Sequence, residues 1–329
     1  MKKTNEMSEV LSRNDITDIR HDWTKKEIEE LYSKPFMDVI SQASLLHRKY
    51  NPLNKVQLSS LINIKSGGCS EDCKYCSQSS KYNTNIEKSK LLDKEEIMKL
   101  AKKAKEAGAS RLCLGAAWKS PGKKSIEMLG EIIKDIKELG MQTCMTLGMI
   151  NPEQAALLSE KGLDYYNHNI DTSEEYYKEI ITTRSYQDRL DTIKNIRDAN
   201  INVCSGGIIG MGESRMDRIG MLYTLCTMPS HPESVPINKL IPMPGTPMEN
   251  TTSISIFEWI KTIAVARIVM PKSYIRLSAG RSDISKEGQA LCFLAGANSI
   301  FYGEKLLTSS NPSQNEDLDL FEKLGITPE

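Results

Sequence analysis

The feature that most constrains the fold of this chain is a regular alternation of strand-like and helix-like segments. Short apolar, β-branched stretches recur at residues 58–65, 110–115, 142–147, 164–168, 201–209, 234–241, 273–277 and 298–302. Helical patterns lie between them at 93–107, 124–139, 152–161, 186–199, 214–228, 254–269 and 285–295. Strands joined by crossover helices predict a parallel sheet, and eight such units favour a closed (β/α)8 barrel of TIM type. A doubly wound open sheet is the alternative.

Several of the helical patterns carry start and stop signals that support these boundaries. Asp93 precedes a run of acidic residues that suits a first helical turn, and Gly108 follows the same pattern. Asn151 is a good N-cap residue, Pro152 suits the first helical position, and Gly162 closes that helix. These signals favour separate, well-delimited helices between the strands.

The two ends of the chain lie outside the alternation. The first 35 residues are charged, with apolar side chains at helical spacing in 25–32, and a second helical stretch covers 36–48. The segment after residue 303 is predicted as a loop followed by a short helix. We therefore expect an N-terminal helical extension at 1–40, a barrel at 41–305, and a short C-terminal extension at 306–329 that packs on the barrel.

Composition limits the partners of the chain. Its 329 residues suit either two domains or one barrel, and its 43 basic residues balance 43 acidic ones. No net charge therefore favours nucleic acid or an anionic membrane, and a small molecule is the expected partner. The N-terminal 32 residues lack the continuous apolar core of a secretory signal or a membrane span. We expect a cytoplasmic protein, in which the eight cysteines stay reduced.

Three of the cysteines form a Cys-x3-Cys-x2-Cys motif directly after the first predicted strand. Cys69, Cys73 and Cys76 place three thiolates on one short loop. Such a loop can bind three irons of a cubane cluster and leave the fourth iron open for chemistry. A structural zinc ion requires four protein ligands, and no further Cys or His lies near in sequence. An iron-sulfur cluster is therefore favoured, with zinc and redox thiols as alternatives.

Three other cysteines lie inside predicted strands. Cys113, Cys144 and Cys204 are 31 and 60 residues apart, about one and two βα repeats, so their side chains can meet at one height in the barrel lumen. Arg276, on the seventh strand, can project into the same space. A buried arginine is costly unless it meets an anion or hydrogen-bond acceptors, and a thiolate-bound cluster would be such a partner. Buried core thiols, and an arginine paired with a carboxylate, remain the alternatives.

Polar residues follow the fourth and fifth strands, where barrels bind their substrates. Asn167 and Asn169 can exchange hydrogen bonds with an amide or ureido group, whereas His168 is assigned no catalytic role. The glycine-rich segment 206–213 fits a flat adenine against bare backbone, but it has no phosphate-loop spacing. The remaining cysteines, Cys226 and Cys292, fall on helical patterns and are predicted core residues.

The chain resembles the biotin synthase family of the radical S-adenosylmethionine superfamily. The cysteine loop, with Tyr75 before its last cysteine, matches the superfamily motif. The family is indicated by the strings YYNHNIDT at 165–172, IITTR at 180–184, VCSGG at 203–207, ESVPIN at 233–238 and RLSAGR at 276–281. The likeness extends from about residue 40 to 325.

This resemblance implies the insertion of sulfur into dethiobiotin to give biotin. Cys69, Cys73 and Cys76 would bind a 4Fe-4S cluster whose open iron is chelated by the amino and carboxylate groups of S-adenosylmethionine. A 2Fe-2S cluster, the sulfur donor, would be held by Cys113, Cys144, Cys204 and Arg276. The family further implies an electron donor such as flavodoxin or ferredoxin and a homodimer, with neither nucleic acid nor membrane as a partner.

The resemblance also implies roles for the remaining polar positions. Contacts to dethiobiotin or the nucleoside are implied for Asn167, Asn169 and Asn238. Contacts to S-adenosylmethionine are implied for Tyr75, Asp171, Arg189, Gly206, Ile208 and Gly210. One departure is the sequence Gly-Ala-Ala at 115–117, where much of the superfamily has Gly-Gly-Glu. Rival functions are a radical enzyme with the loop cluster alone and a zinc-binding structural protein.

Overall fold

The computed structural model describes residues 19–329, and its central feature is a closed parallel barrel. The strands are Lys55–Lys65 (β1), Arg111–Ala116 (β2), Gln142–Thr146 (β3), Tyr165–Asn167 (β4), Asn202–Cys204 (β5), Gly207–Ile209 (β6), Ser234–Lys239 (β7), Tyr274–Leu277 (β8), Ser299–Phe301 (β9) and Thr327–Pro328 (β10). The barrel order is β1-β2-β3-β4-β5-β7-β8-β9, and pairing of β9 with β1 closes it. The predicted (β/α)8 barrel is confirmed, and the open sheet was the wrong alternative.

The fifth barrel position is divided, whereas the sequence predicted one strand over 201–209. Strand β5 pairs with β4 and β7, and β6 continues alone along β7. The chain bends between them because Gly206 packs directly on β7, where a Cβ atom would lie 2.0 Å from the Pro236 carbonyl oxygen. The next residue, Gly207, would clash with the Asp171 carbonyl oxygen at 2.4 Å.

The helices surround the barrel and match the predicted alternation. They are Lys25–Ser33 (α1), Phe36–Tyr50 (α2), Lys94–Glu106 (α3), Lys123–Glu138 (α4), Pro152–Glu160 (α5), Glu174–Ile180 (α6), Tyr186–Asp198 (α7), Arg215–Cys226 (α8), Ile256–Val269 (α9), Lys286–Leu294 (α10) and Gln314–Leu324 (α11). Asp93 and Asn151 form the predicted caps of α3 and α5, each within a capping box. The sequence did not predict α6, which has only seven residues and no long apolar period.

Both chain ends that the structure describes pack on the barrel. Helices α1 and α2 lie against α9, and the buried Tyr32 hydroxyl donates to Thr262 Oγ1 at 3.1 Å. At the other end, β10 adds to the start of β1, with Thr327 opposite Lys55. The predicted lead-in falls partly on residues 1–18, which lie outside the described residues. The predicted domain boundaries at 40 and 305 stay predictions.

The barrel interior is chemically distinct from the main core. The main core lies between the strands and the surrounding helices, whereas Cys113, Cys144 and Tyr165 form a small separate cluster against Leu61 and Phe301. The predicted core positions of Cys226 and Cys292 are confirmed, since both are fully buried at the ends of α8 and α10. Within residues 19–329, no helix has the length and apolar character needed to cross a membrane.

Candidate active site

The three loop cysteines lie on the segment that follows β1 at the carboxyl end of the barrel. The loop folds back on itself because Cys69 donates its N–H to the Gln78 carbonyl at 3.0 Å and accepts from Ser80 N–H at 2.7 Å. A tight turn brings Cys76 N–H to the Cys73 carbonyl at 2.9 Å. All three cysteines line one cavity of about 200 Å³, hereafter the loop cavity.

The surroundings of these thiols fit a metal cluster. Burial raises the pKa of Cys73 to about 11 and that of Cys76 to about 12, and it also raises the pKa of Cys69. The free thiols are therefore neutral at pH 7, and a cation at this position is needed to hold three thiolates together. Soft thiolates select iron-sulfur clusters among metal groups. Among residues 19–329 no group of His, Cys, Asp or Glu side chains is arranged around a single metal ion. A cubane cluster does not need such an arrangement, because each thiolate binds a different iron.

Two carboxylates between the first two cysteines anchor the loop to the segment after α6. Asp72 accepts hydrogen bonds from the N–H groups of Thr182 and Thr183 at 2.9 and 3.1 Å. Glu71, almost fully buried, accepts from the Thr183 hydroxyl at 2.7 Å and lies 3.2 Å from Arg184 Nε. The sequence reasoning missed these contacts, although two acidic residues inside a metal loop and the unexplained string TTR were the available signals.

A second group of side chains lies beside the loop cavity, around Asp171 in the segment after β4. The Tyr75 hydroxyl donates to Asp171 Oδ2 at 2.8 Å, and Arg189 forms a buried ion pair with the same carboxylate. Arg189 also donates to the Tyr177 hydroxyl at 2.9 Å and to the Asn169 carbonyl at 2.8 Å. Asp171 has a φ of 69°, a left-handed conformation that is costly for a residue with a side chain. Such strain is typical of functional sites.

A larger cavity of about 240 Å³ runs beside the loop cavity into the barrel, and we call it the central cavity. Cys76 and Tyr75 of the cysteine loop line it, and so does the buried Arg276 on β8. The predicted residues Asn167 and Asn169 at the end of β4, Ile208 on β6 and Asn238 on β7 line it as well. The structure thus brings together residues of both predicted cysteine sites around one space.

The asparagine side chains of the central cavity differ in how many of their hydrogen bonds are made within the protein. Asn167 donates to Thr146 Oγ1 at 3.1 Å, but its buried Oδ1 has no partner among the described residues. Asn238 donates to the Gly207 carbonyl at 3.0 Å and accepts from Ala279 N–H at 3.2 Å. Asn169 Oδ1 accepts from Gly206 N–H at 3.1 Å. Asn167 is therefore the amide best placed to bind a ligand.

The lumen site is formed by the three strand cysteines and Arg276. Cys113 on β2 lies directly opposite Cys144 on β3, and both are buried. Cys204 on β5 accepts from Arg276 Nη1 at 4.0 Å. The strand spacing therefore predicted the convergence of these residues. Arg276 also donates to neutral oxygens, at 3.0 Å to Ser299 Oγ, 3.0 Å to Ser59 Oγ and 3.3 Å to Gln57 Oε1, and its guanidinium lies 4.8 Å from the centre of the Phe301 ring.

The electrostatics of the lumen site also fit an anionic cluster. Within residues 19–329 Arg276 has no carboxylate partner, so the alternative of an arginine paired with a carboxylate is not met there. Burial lowers the pKa of Arg276, but the thiols of Cys204, Cys113 and Cys144 raise it more, and the net shift is upward. The hydrogen bond with Cys144 lowers the pKa of Cys113 to about 7. A guanidinium among buried thiols is a preformed place for thiolates.

Two predicted positions, Gly206 and Gly210, shape the backbone of the site rather than its cavities. Gly206 and Gly210 line neither cavity, and Gly206 makes room for β7 as described above. Glu213 holds the segment after β6 by accepting from Gly210 N–H at 2.9 Å and Met211 N–H at 2.7 Å.

The sequence Gly-Ala-Ala at 115–117, which departs from the superfamily pattern, places Ala116 and Ala117 at the loop cavity, where Lys65 donates to the Ala117 carbonyl at 3.1 Å. His168 is buried, and burial keeps its pKa well below the ordinary value.

Comparisons with known proteins agree with this geometry. The Radical SAM superfamily profile matches residues 63–226, and the Biotin and Thiamin Synthesis associated domain matches 236–327. The chain is 58% identical to the biotin synthase of Hahella chejuensis over 311 residues, covering 94% of this chain and 88% of that protein. It is 56% identical to the biotin synthase of Vibrio vulnificus over 309 residues, with the same coverage of 94% and 88%.

Solved structures show the same fold at low sequence identity. Methylornithine synthase superposes with a TM-score of 0.78 at 22% identity, covering 93% of this chain and 94% of that one. The FeFe-hydrogenase maturase from Carboxydothermus hydrogenoformans superposes with a TM-score of 0.82 at 17% identity, covering 99% and 80%. At these identities the likeness concerns the barrel architecture alone.

Proposed function

This chain belongs to the biotin synthase family of radical S-adenosylmethionine enzymes, and we propose that its two cysteine sites and the central cavity carry out the family reaction. The protein is a sulfur-transferring enzyme that converts dethiobiotin to biotin, with S-adenosylmethionine, a 4Fe-4S cluster and a 2Fe-2S cluster. When bound, these groups supply a 5'-deoxyadenosyl radical that abstracts hydrogen and a sulfur atom that enters dethiobiotin. What remains for the protein is to hold, orient and enclose the reactants.

The observation that carries the proposal is the central cavity, which is lined both by Cys76 of the loop site and by Arg276 of the lumen site. Radical initiation and sulfur donation must act on the same molecule, so a substrate must reach both sites without leaving the enzyme. One continuous space meets that requirement. We assign Cys69, Cys73 and Cys76 to the 4Fe-4S cluster, and Cys113, Cys144, Cys204 and Arg276 to the 2Fe-2S cluster.

The residues between the two sites orient the reactants in this proposal. Dethiobiotin carries a ureido group, which offers two N–H donors and one carbonyl acceptor. The unpartnered Oδ1 of Asn167 supplies an acceptor for one of these N–H groups. Asn169 and Asn238 line the same space, and both have an amide group in contact with backbone that fixes its orientation. Fixed amides of this kind bind a neutral, polar ring without adding charge near the radical.

We assign the S-adenosylmethionine contacts to the side of the cavities nearer the loop. Asp171 is held by Tyr75 and Arg189, so its carboxylate is oriented for a ribose hydroxyl. Ile208 presents an apolar surface for adenine, with Gly206 and Gly210 shaping the adjacent backbone. Closure of this side excludes water, which protects a radical from side reactions.

The partners beyond these molecules are part of the proposal. A small electron-transfer protein such as flavodoxin or ferredoxin is the proposed reductant, because the loop site lies at the rim of the barrel. A homodimer is proposed from the family resemblance, and a cytoplasmic location remains a prediction from the reduced thiols.

Anaerobic turnover tests the proposed function directly. Reconstituted, reduced protein is incubated with dethiobiotin and S-adenosylmethionine, and biotin and 5'-deoxyadenosine are quantified. The proposal expects both products. Formation of 5'-deoxyadenosine without biotin would rule out the sulfur insertion assigned here.

Metal analysis separates the remaining alternatives. Iron and sulfide content of about six irons per chain fits two clusters, and about four fits a radical enzyme with the loop cluster alone. A colourless protein that binds zinc after anaerobic treatment with iron and sulfide would instead support a structural zinc protein.

A further inference from the structure

One buried ion pair is used by neither cluster assignment nor by the substrate contacts named above. Arg281, the last residue of the string RLSAGR, begins a short helical turn after β8, and its side chain is fully buried. Its partner is Asp317 in the first turn of α11, whose side chain is only 1% exposed. Burying two opposite charges costs free energy unless their geometry and further hydrogen bonds compensate.

The contacts of the guanidinium join three parts of the chain. Arg281 Nη2 donates to Asp317 Oδ1, and Nη1 donates to Oδ2 of the same carboxylate at 3.3 Å, so the pair is bidentate. Nε and Nη2 also donate to Gln289 Oε1 on α10, at 3.2 and 3.0 Å. Nη1 donates to the Phe301 carbonyl at the end of β9, at 3.1 Å. Arg281 therefore holds α10, α11 and the end of β9 together.

The chain between β9 and α11 contains a hairpin at residues 303–310, which we call the strap. Its two arms pair as an antiparallel bridge. At its base the Asn311 side chain donates to the carbonyls of Phe301 and Gly303, at 2.9 and 2.8 Å. The Phe301 carbonyl accepts from both Arg281 and Asn311, so the ion pair meets the base of the strap at one atom.

The tip of the strap, residues 306–309, lines the central cavity. Two hydrogen bonds connect the tip to β1 and to the cysteine loop. Asn63 Nδ2 donates to the Leu307 carbonyl at 3.0 Å, and Ser77 Oγ donates to Thr308 Oγ1 at 3.0 Å. The strap is therefore part of the wall of the space that is proposed to hold the substrate.

One apolar side chain also packs the tip against the barrel. Leu307 lies over Gly115 on β2, where a Cβ atom would lie 2.6 Å from the Leu307 Cδ2 atom. The missing side chain of Gly115 lets the tip approach the strand. Leu307 lines the loop cavity as well, so the position of the tip shapes both cavities.

The two ends of the strap are thus held by different kinds of contact. Its tip is held by neutral hydrogen bonds and an apolar contact, whereas its base adjoins a buried, bidentate ion pair. Breaking a buried pair leaves two charges without a partner and is strongly unfavourable, whereas a neutral hydrogen bond contributes little net stability. The place of the tip therefore depends on the base.

We propose that Arg281 and Asp317 are positioning residues, which fix the base of the strap and thereby place residues 306–309 as the wall against which dethiobiotin binds. This inference rests on the proposed function, because it takes the central cavity as the dethiobiotin site. Both residues act at a distance, since neither lines the central cavity or the loop cavity.

A displaced wall should affect substrate binding more than cluster assembly. The proposed ligands of both clusters lie outside the strap and α11, so iron content should stay at the wild-type level. A loosened strap holds dethiobiotin less firmly, and the KM for dethiobiotin should therefore rise.

Two variants disturb the pair in different ways. Asp317→Asn keeps the shape of the side chain but removes the charge that faces Arg281. Arg281→Lys keeps the charge, but one ammonium group does not reach the carboxylate, Gln289 and the Phe301 carbonyl as the fork does.

Asp319→Asn is the matched control. Asp319 lies on the same helix, and its carboxylate pairs with Lys286 of α10 at 2.6 Å and with Lys323 at 2.8 Å. Its side chain is 42% exposed, and among the described contacts it does not bond to the base of the strap. Loss of a carboxylate between α10 and α11 is thus common to both variants, and only Asp317→Asn disturbs the buried pair.

Two measurements on the reconstituted protein test the inference under anaerobic conditions. One is KM and kcat for dethiobiotin, and the other is the rate of trypsin cleavage after Lys305, an exposed residue of the strap, followed by mass spectrometry. We expect Asp317→Asn to raise the KM and the cleavage rate about tenfold or more, the effect of losing a charged hydrogen bond, with kcat within about threefold. Arg281→Lys should raise both severalfold. Asp319→Asn should leave both within about twofold of the wild type, as for an exposed ion pair.

Wild-type values of both the KM and the cleavage rate in Asp317→Asn would overturn the inference, as would an equal change in Asp319→Asn. A lower kcat at an unchanged KM would also overturn it, because partial unfolding removes active sites without altering those that remain. If Asp317→Asn does not fold, Arg281→Lys decides by the same criteria. Failure of the proposed function looks different, because the wild-type protein itself would then form no biotin.

Discussion

The loop site and the lumen site use the same ligand type but are built in different ways. The loop places three cysteines within residues 69–76, and two of them remain partly exposed. The lumen site takes its four residues from strands β2, β3, β5 and β8, and all four are buried. One site is local in sequence and lies at the rim, whereas the other exists only when the barrel has closed.

This difference determines what each site depends on. The loop is held by contacts to residues 182–184 and by the Tyr75 hydroxyl bond to Asp171, so we expect it to loosen more easily than the barrel. The lumen site depends on register, since Cys113 faces Cys144 directly and a slip by one residue would turn either side chain out of the barrel. In the proposed function, the loop site would start the radical chemistry, and the lumen site would make sulfur donation depend on the closed barrel.

The largest expected effect is the loss of all radical chemistry in Cys73→Ala. Without this thiolate the loop has only two ligands, and the half-built site does not hold a cubane. We expect neither 5'-deoxyadenosine nor biotin above background in anaerobic turnover. The lumen site should still take up about two irons, since its ligands are unchanged.

Cys226→Ala is the control for the loss of a buried thiol. Cys226 is fully buried at the end of α8, and it belongs to neither site. Both products should form at wild-type levels in this variant. Formation of 5'-deoxyadenosine by Cys73→Ala would show that the loop is not the site of initiation.

The next effect separates the two sites and is expected in Cys144→Ala. The variant removes one proposed ligand of the lumen site and changes none of the three loop cysteines. We expect biotin formation to be lost, 5'-deoxyadenosine formation to persist, and iron to fall from about six to about four per chain. If biotin is still formed at the wild-type rate, the lumen site is not the sulfur donor.

The sequence could predict much of this architecture because several signals were strong. Strand and helix boundaries followed from periodicity and from caps such as Asp93 and Asn151. The loop site followed from cysteine spacing alone. The division of the fifth strand did not, because its cause is the contact of Gly206 with β7, a neighbour distant in sequence.

The lumen site and the loop anchor show why the rest could not be predicted. Spacing suggested that Cys113, Cys144 and Cys204 face one lumen, but only the resemblance indicated a cluster there. The oxygens around Arg276 come from β1 and β9, so no local pattern reveals them. Arg184 likewise contacts Cys73 across 111 residues of sequence. Such pairs are fixed by tertiary packing, which a single sequence does not display.

Arg276→Met sharpens the comparison by asking how the lumen depends on its cluster. In the metal-free protein the buried guanidinium contacts neutral oxygens, thiols and the Phe301 ring but no carboxylate among the described residues, so its loss should cost little stability, about 1 kcal/mol or less. In the loaded protein it faces an anionic cluster, and its loss should weaken that cluster. Thermal denaturation of both forms should therefore show similar melting for the metal-free proteins and earlier melting for the loaded variant.

Arg276→Lys gives the matched comparison, since it keeps the charge and removes the fork. We expect its loaded form to melt between those of the wild type and Arg276→Met. A loaded Arg276→Met protein that melts with the wild type and keeps full turnover would show that this arginine is not a required ligand.

The smallest expected effect tests the local nature of the loop site through Asp72→Asn. Burial raises the pKa of Asp72, but hydrogen bonds from Thr182 and Thr183 lower it more, to about 2, so the carboxylate is ionised and anchors the loop at pH 7. Asparagine keeps one acceptor but loses the charge, a difference of about 1 kcal/mol for such hydrogen bonds. Iron release from the loop cluster to a chelator should therefore become severalfold faster, while the lumen cluster should release iron at its wild-type rate. Asp198→Asn, an exposed carboxylate paired with Lys194, should change neither rate. Equal acceleration at both clusters would mean that the two sites loosen together, and the loop would then be as dependent on the barrel as the lumen is.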